Sequence, residues 1–288
     1  MNTLGETIRR ITAYLLERGV DSPSLSARLI AGAVLGLDAS GMARESGREL
    51  TNSEAERIGE LARRRGEGEP AAYILGEKEF YGLPMRVGPG VLVPRPETEL
   101  LIDAAVKVFE RDAKLVFADL GAGSGCVAIA AAHAFMNSTG IMVDKSPIAL
   151  DTAMDNAKRN KVDGRLAPVL ADFTMPFAKG ESLDLIMANP PYVSDEEYMG
   201  LDREVLLYEP EEALRGGPEG VEISLAMMDA VAPALKPGGV FLMEIGAAQG
   251  ERFRLILDDF ESPFNKVEIL NDLAGHDRAV FCYKSGNG

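Results

Sequence analysis

Thiols and imidazoles are scarce in this chain of 288 residues, which has two cysteines, Cys126 and Cys282, and two histidines, His133 and His276. Two thiols in apolar segments do not make a disulfide framework, and they fit a reducing compartment. Four such side chains without ligand spacing give no reason to expect a metal site or a catalytic thiol. Long apolar runs are missing too. Each is broken by polar residues well before the roughly 18 positions a membrane-spanning helix needs. The opening segment, MNTLGETIRRITAYLLERG, alternates charged and apolar positions and lacks the apolar block of a signal peptide. A cytoplasmic protein with no membrane partner is expected.

Basic charge is in deficit. Thirty Lys and Arg stand against 45 Asp and Glu, a formal net charge of −15. Positions 1–85 hold 11 of the basic and 13 of the acidic residues, leaving 19 and 32 for the remaining 203, so an excess of −13 sits there. Such a field repels a nucleic-acid backbone, whereas a protein partner, a basic one above all, is accommodated. Direct nucleic-acid binding is therefore not expected, and the arginines at 63–65 are read as a solvated helix end.

Hydrophobic residues make up 46%, enough for a sizeable core, in a length that holds one full α/β domain and a smaller one. Up to residue 71 the chain reads as short helices. Ile8, Ile11, Leu15 and Leu16 share one face. Leu25, Leu29 and Ala33 follow Ser24, and Ile58 and Leu61 follow the capping residues Thr51 and Glu54. This predicts a helical bundle over 1–71 that docks a partner. Residues 72–95 form a hairpin and gateway: EFYGLPMRV alternates around a Gly-Leu-Pro turn, and Pro94 and Pro96 force extended backbone before a helix near Glu97. Over 96–288, strand-length apolar runs (KLVFADL, GIMVD, LAPVLAD, LDLIMA, GVFLMEI, KVEIL, AVFCYK) alternate with helical patterns at 126–136, 146–160, 222–235 and 248–259. That alternation predicts parallel strands with crossover helices, an α/β doubly wound sheet of Rossmann-like kind, with ligands at the carboxyl ends of its strands.

The first of these strands ends in Asp119-Leu-Gly-Ala-Gly-Ser-Gly125. Its glycines let the backbone turn tightly against a ligand. The dinucleotide fingerprint G-x-G-x-x-G/A fails because its last position is Cys126, and no G-x-x-x-x-G-K-[ST] occurs. A loop without phosphate chemistry, led by an acid, suits a cationic ligand with an amino-acid tail, as in S-adenosyl-L-methionine. Asp119 is the candidate for the ammonium, directly or through water, with Gly121, Ala122, Gly123, Ser124 and Gly125 lying against it. Asp144 ends the second strand, placed for the ribose hydroxyls. Asp172 and Phe173 end the third, placed for the amino group and face of adenine. Taken singly, each of these has a structural alternative, a tight turn or a helix start. Their succession at three strand ends favours the cofactor.

The fourth strand, 183–188, runs into Asn189-Pro190-Pro191-Tyr192. Consecutive prolines fix φ and remove two donors, so the loop presents carbonyl oxygens, and the Asn189 side chain adds another acceptor. Two rigid acceptors suit an NH₂ group. An amide nitrogen shares its lone pair with its carbonyl and is a poor nucleophile. Accepting both of its protons aims the lone pair along an in-line displacement and stabilises charge growing on nitrogen. Asn189, Pro190 and Tyr192 are therefore the candidate catalytic residues, with Tyr192 packing on the planar group and Asn189 also bordering the cofactor.

VLVPRPETELL (91–101), DLGAGSG (119–125), NPPY (189–192) and MEIGAAQG (243–250) resemble the protein-(glutamine-N5) methyltransferases, and most closely their release factor branch, the PrmC/HemK type. LYEPEEAL-x-GG (207–217) and DLAGHDRAV (272–280) resemble that branch's C-terminal segments. The resemblance covers nearly the whole chain, the N-terminal helices matching in pattern more than in motif. It implies a class I S-adenosylmethionine-dependent methyltransferase domain behind a helical bundle and a β-hairpin linker. It further implies methylation of the glutamine in the Gly-Gly-Gln motif of class-1 peptide chain release factors, with S-adenosyl-L-homocysteine as product. By motif position it assigns the cofactor to Gly121–Gly125, Asp144 and Phe173, and the substrate amide to Asn189, Pro190, Pro191 and Tyr192. Leu92 stands where some relatives put an aromatic near the glutamine, and Phe173 where relatives often have tryptophan. Arg95 and Glu97 are read as ordering the gateway loop. NPPY is shared with adenine-N6 methyltransferases. That keeps a nucleic-acid adenine open as a remote acceptor, which the missing target-recognition insertion and the −13 charge disfavour. A ribosomal-protein glutamine stays open because substrate choice lives in the N-terminal bundle and outer loops.

Overall fold

Thr3 and Glu6 open the first helix with a reciprocal capping box, and Thr51 and Glu54 open the fourth in the same way. The computed structural model describes residues 3–259 and 264–284. Positions 1–2 and 285–288, the outer ends of the first and last expected domains, lie outside the described residues. The chain up to Glu77, joined by Asp202–Glu209, clusters as one unit, and Lys78–Leu201 with the chain from Pro210 onward as another.

The helical unit contains α1 (Leu4–Glu17), α2 (Pro23–Leu35), α3 (Ala39–Arg44), α4 (Asn52–Gly66) and α5 (Ala71–Leu75), plus a short helix from later in the chain, α10 (Arg203–Tyr208). Leu4, Ile11, Leu15, Ile30, Ile58 and Leu61 form its core. The phase of α2 differs from the expected one. Ser26, Ala27, Ile30 and Ala31 face inward, whereas Leu25 and Leu29 are 57% and 43% exposed. Small side chains at the inward positions let neighbouring helices approach closely, and that fit outweighs the burial of two leucines. Leu16 is exposed as well, one step off the face that carries Leu15. The triple arginine also departs from a purely solvated end. Arg63 and Arg64 pair with Glu67 and Glu69 near the surface, but Arg65 is buried. Its guanidinium donates to the Glu69 carbonyl at 3.0 Å and to the Glu204 carboxylate at 2.5 Å. A buried cation requires such partners.

The hairpin of β1 (Glu77–Phe80) and β2 (Leu83–Arg86) reverses at Tyr81 and Gly82, whose φ values are 52° and 74°. Two central residues with positive φ match the right-handed twist of the flanking strands, so the turn falls ahead of the expected Gly-Leu-Pro and Pro84 lies within β2. After a 3-10 turn at Pro96–Thr98 and α6 (Glu99–Val108), the chain alternates through β3 (Val116–Leu120), α7 (Cys126–Ala134), β4 (Thr139–Asp144), α8 (Pro147–Arg159), β5 (Leu166–Leu170) and β6 (Leu183–Ala188). A small pair follows, β7 (Val193–Ser194) with β8 (Arg215–Gly217), and the short α9 (Asp195–Tyr198) comes between them in the chain. Then come α11 (Glu222–Val231), β9 (Leu235–Glu244), α12 (Gly250–Asp259), β10 (Phe264–Asn271) and β11 (Asp277–Lys284).

Seven strands make one sheet in the order β10-β11-β9-β6-β3-β4-β5. The five from β9 to β5 pair in parallel, while β11 lies antiparallel to both β9 and β10. The expected all-parallel pattern stops there because the connection at 272–276 is too short for a crossover helix. Side chains alternate between two buried layers. Phe117, Leu185, Met187, Val240 and Leu242 pack with α6, α7 and α8, and Leu120, Ile186, Phe241 and Met243 with α11 and α12. Burial on both faces explains why these strands appear as nearly continuous apolar runs. From β3 the chain moves outward to β4 and β5, then returns to β6 on the other flank of β3. Leu120 pairs with Ala188 across this switch point, so the loops that follow them start side by side. Among the described residues no helix is long and apolar enough to cross a membrane.

Candidate active site

The loop after β3 holds Gly121, Gly123 and Gly125 at φ 73°, 54° and 78°. Two of these glycines serve different needs. A Cβ on Gly125 would come within 2.9 Å of the Ala153 Cβ on α8, so that position is fixed by packing. A Cβ on Gly121 would instead face the Phe173 ring at 3.5 Å and the Asn189 carbonyl at 3.7 Å, where β3, β5 and β6 converge. Gly121, Gly123, Asp144, Phe173, Asn189 and Pro191 line one cleft there, together with Leu92 and Glu212. Roomier grooves exist in the helical unit, but none of these strand-end residues lines them.

The carboxylates around this cleft have separate tasks. Asp144 Oδ2 accepts the Gly123 N–H and Oδ1 the Ser146 N–H, both at 2.9 Å, which leaves acceptor capacity on each oxygen. Asp119 does not border the cleft. It is buried beneath the loop, where Oδ2 accepts the Ala128 N–H at 3.0 Å. Burial pushes its carboxyl up to about 7, against the pull of that N–H and with help from the charge of Asp144. Ala122, Ser124 and Gly125 are buried alongside, the Ser124 carbonyl accepting from Asn156 Nδ2 at 2.9 Å. Asp172 is turned to its own turn: Oδ1 accepts the hydroxyl and the N–H of Thr174 at 2.7 and 2.9 Å, and these bonds hold its carboxyl below the usual range. Its neighbour Phe173 carries the cleft contact.

Behind Asn189 lies a chain of hydrogen bonds. Asn189 Nδ2 donates to Thr98 Oγ1 at 3.1 Å, and Thr98 donates to Glu244 Oε2 at 2.6 Å. Tyr192 donates its hydroxyl to Glu244 Oε1 at 3.2 Å. Glu244 closes β9 and is 1% exposed. Burial raises its carboxyl to about 7, opposed by Thr98, by Arg278 and by Tyr192, while Glu97 adds to the rise. Burial, and then the charge of Glu244, pushes the Tyr192 hydroxyl up. Gln249 pins the loop from the same side: Nε2 donates to the carbonyls of Tyr192 and Gly220 at 2.9 and 3.1 Å, and Oε1 accepts the Gly246 N–H at 2.8 Å.

Of the site residues expected from the sequence, the cleft brings together Leu92, Gly121, Gly123, Asp144, Phe173, Asn189 and Pro191. Asp119, Ala122, Ser124, Gly125, Asp172, Pro190 and Tyr192 are not on its lining. Thr98, Glu244 and Gln249 were not singled out from the sequence. The available signal was an acid closing the apolar run GVFLME, since a carboxylate is seldom buried without a task. The arrangement can hold a ligand rich in hydroxyls against Asp144. Asn189 borders the same cleft, and its side-chain amide is tied through Nδ2 to Thr98, which leaves Oδ1 as the remaining acceptor.

Residues 6–76 match the family described as the PrmC N-terminal domain, and residues 97–219 the methyltransferase small domain. A release factor glutamine methyltransferase of Nitratidesulfovibrio vulgaris is 39% identical over 283 residues, 98% of this chain and 96% of that protein. Its counterpart from Bradyrhizobium diazoefficiens is 37% identical over 280 residues, 96% and 93% of the respective chains. Among solved structures, a methyltransferase from Pyrococcus furiosus aligns with a TM-score of 0.50 at 19% identity, over 71% of this chain and 90% of that one, a likeness of fold alone.

Proposed function

The chain belongs to the release factor glutamine methyltransferase family, and from that premise we propose that it moves a methyl group from S-adenosyl-L-methionine to a glutamine side-chain amide of a class-1 peptide chain release factor, within the Gly-Gly-Gln motif. The observation that carries this reading is the position of Asn189 at the end of β6, bordering the same cleft as Gly121 and Asp144. Strand ends that flank a switch point put a donor site and an acceptor site within reach of each other.

The residues present fit the cofactor. Gly121 and Gly123 leave a wall without side chains, at φ values of 73° and 54° that a residue with a Cβ rarely adopts. Asp144 keeps a free lone pair on each oxygen for a pair of ribose hydroxyls, and the Phe173 ring offers a face for a purine. When bound, S-adenosyl-L-methionine supplies an electrophilic methyl on a sulfonium, and S-adenosyl-L-homocysteine is the product. Asn189 Oδ1 and a carbonyl of the proline-stiffened loop accept hydrogen bonds from the two N–H groups of the glutamine amide, which aligns the nitrogen lone pair and stabilises its growing charge. Pro190 and Pro191 are buried and keep that loop stiff, and Gln249 and Glu244 brace Tyr192 behind it. The helical segment up to residue 71 serves in this reading to dock the protein partner, and residues 72–95 link it to the transferase unit. A release factor substrate places the reaction in the cytoplasm.

The test offers radiolabelled S-adenosyl-L-methionine and three acceptors: a class-1 release factor, its Gly-Gly-Gln variant with Gln→Ala, and unmethylated DNA. Label is expected on the intact release factor alone. Label on DNA, or equal label on the Gln→Ala variant, overturns the proposal.

A further inference from the structure

We propose that Thr98 and Glu244 are positioning residues that fix which end of the Asn189 amide faces the substrate. The inference rests on the glutamine-amide reading of the cleft and adds to it a cause for the orientation that reading needs.

The reasoning is one of donors and acceptors. An asparagine amide has an oxygen that accepts and an NH₂ that donates, of similar shape, so packing alone does not choose between the two ways round. A glutamine NH₂ arriving as substrate needs the oxygen. Ionised Glu244 has only acceptors to offer, so the single hydroxyl proton of Thr98 goes to Oε2, across 2.6 Å. Thr98 Oγ1 then has lone pairs alone to turn toward Asn189, and only the amide NH₂ can meet them, at 3.1 Å. Oδ1 is left facing the substrate. Tyr192 occupies the other oxygen of Glu244, which holds the carboxylate in the plane that reaches Thr98.

Protonation of Glu244 reverses the chain. A carboxylic acid can donate to Thr98, whose own proton is then free to point at Asn189 and draw Oδ1 toward itself. The NH₂ of Asn189 would then meet the NH₂ of the substrate, two donors face to face. The groups that face Glu244 are Thr98 and Glu97 from the turn before α6, Cys126 at the start of α7, Tyr192 from the loop after β6 and Arg278 from β11, while Arg95 acts on Tyr192. Burial and Glu97 favour the acid, whereas Thr98, Arg278 and Tyr192 favour the carboxylate. Activity is therefore expected to rise with pH as Glu244 ionises.

The experiment compares wild type with Thr98→Val, Thr98→Ser, Glu244→Gln and the Thr98→Val/Glu244→Gln double variant by two readouts. One is the side-chain NH₂ resonance of Asn189 in protein labelled with ¹⁵N-asparagine, identified by its loss in Asn189→Asp. It is expected to exchange slowly with solvent and to shift as Glu244 titrates in wild type and Thr98→Ser. In Thr98→Val it is expected to exchange fast and lose the pH shift. The other is methyl transfer to the release factor. Thr98→Val is expected to lower kcat on the order of 10–100-fold with S-adenosyl-L-homocysteine affinity unchanged, as a misaligned acceptor does. Thr98→Ser recovers most of that loss, the double variant is no worse than the poorer single one, and the acid limb of the kcat profile disappears with either residue. An Asn189 resonance in Thr98→Val that exchanges and titrates as in wild type overturns the inference, as do additive losses in the double variant. A wild type that labels no release factor defeats the proposed function instead, and the resonance, which needs no methyl acceptor, still decides the role of Thr98.

Discussion

Asp119 and Asp144 hold two points of one glycine loop: Asp144 accepts the N–H of Gly123 within it, and Asp119 accepts the N–H of Ala128 just beyond it. The first is at the cleft and the second is sealed below, where the charge of Asp144 makes that of Asp119 harder to keep. Their substitutions should separate ligand binding from stability.

Asp144→Ala removes the acceptor aimed at the ribose and frees the Gly123 N–H. The dissociation constant for S-adenosyl-L-homocysteine should rise about 10–100-fold, the loss of one or two charge-assisted hydrogen bonds. Titration calorimetry measures it directly. An unchanged constant would remove Asp144 from the binding site.

Asp119→Asn should do the opposite to the empty protein. The folded carboxyls of Asp119 and Glu244 titrate at about 7, above their roughly 4 in the unfolded chain. A raised value means that the native state binds the proton more tightly. The stability this contributes is whole below the unfolded value and is lost as pH rises through about 7. The unliganded protein should therefore melt at a lower temperature at pH 8 than at pH 5. Asp119→Asn should be more stable than wild type at pH 8, by about 1–3 kcal/mol, since each pKa unit is worth about 1.4. Asp272 and Asp277, whose carboxyls are held low, act in a separate window, losing their contribution as pH falls through the acid range. Equal melting temperatures at pH 8 would mean that Asp119 ionises there without cost.

Asn189→Ala removes the side-chain acceptor and leaves the backbone of the loop in place. Methyl transfer should fall by about 10³-fold, the scale for losing a preorganised group at the reacting atom, with cofactor affinity nearly unchanged. Single-turnover transfer and calorimetry on one preparation check both halves. A variant that retains full transfer would show that the backbone carbonyl alone orients the amide.

Gly140→Ala tests the fold without touching the cleft. The new methyl on β4 would come within 2.4 Å of the Phe117 ring on β3, both strands being central and tightly packed. Overpacking of this kind costs about 1–3 kcal/mol, to be read from denaturant midpoints. No loss would mean that Phe117 moves aside freely.

The central strands were legible because both faces of the sheet are buried there, which turns them into nearly continuous apolar runs, and their parallel direction followed from the helices between them. The two site loops were legible for a different reason: glycine and proline constrain the backbone whatever surrounds them. Legibility ended where a decision depended on partners distant in sequence. Nothing near Leu25 or Leu29 reveals that the alanines beside them face the neighbouring helices. Thr98 and Glu244 lie 146 positions apart, and a threonine in RPETE acquires meaning only once the end of β9 is beside it. Asp172 failed in the other direction. Its position at a strand end looked outward, but its side chain satisfies the turn it begins.

The pairing of buried Arg65 with half-buried Glu204 also imposes a timetable on biosynthesis. The guanidinium leaves the ribosome early, and its carboxylate is made 139 residues later. At about 5–20 residues per second, that is a wait of roughly 7–28 s. During that interval the nascent helices carry a guanidinium that has only the Ser26 hydroxyl and the Glu69 carbonyl to meet it, and its remaining donors stay hydrated. Their last piece arrives only after the NPPY loop has been translated, and β9, β10 and β11 of the sheet are still to come when the small unit has all its parts.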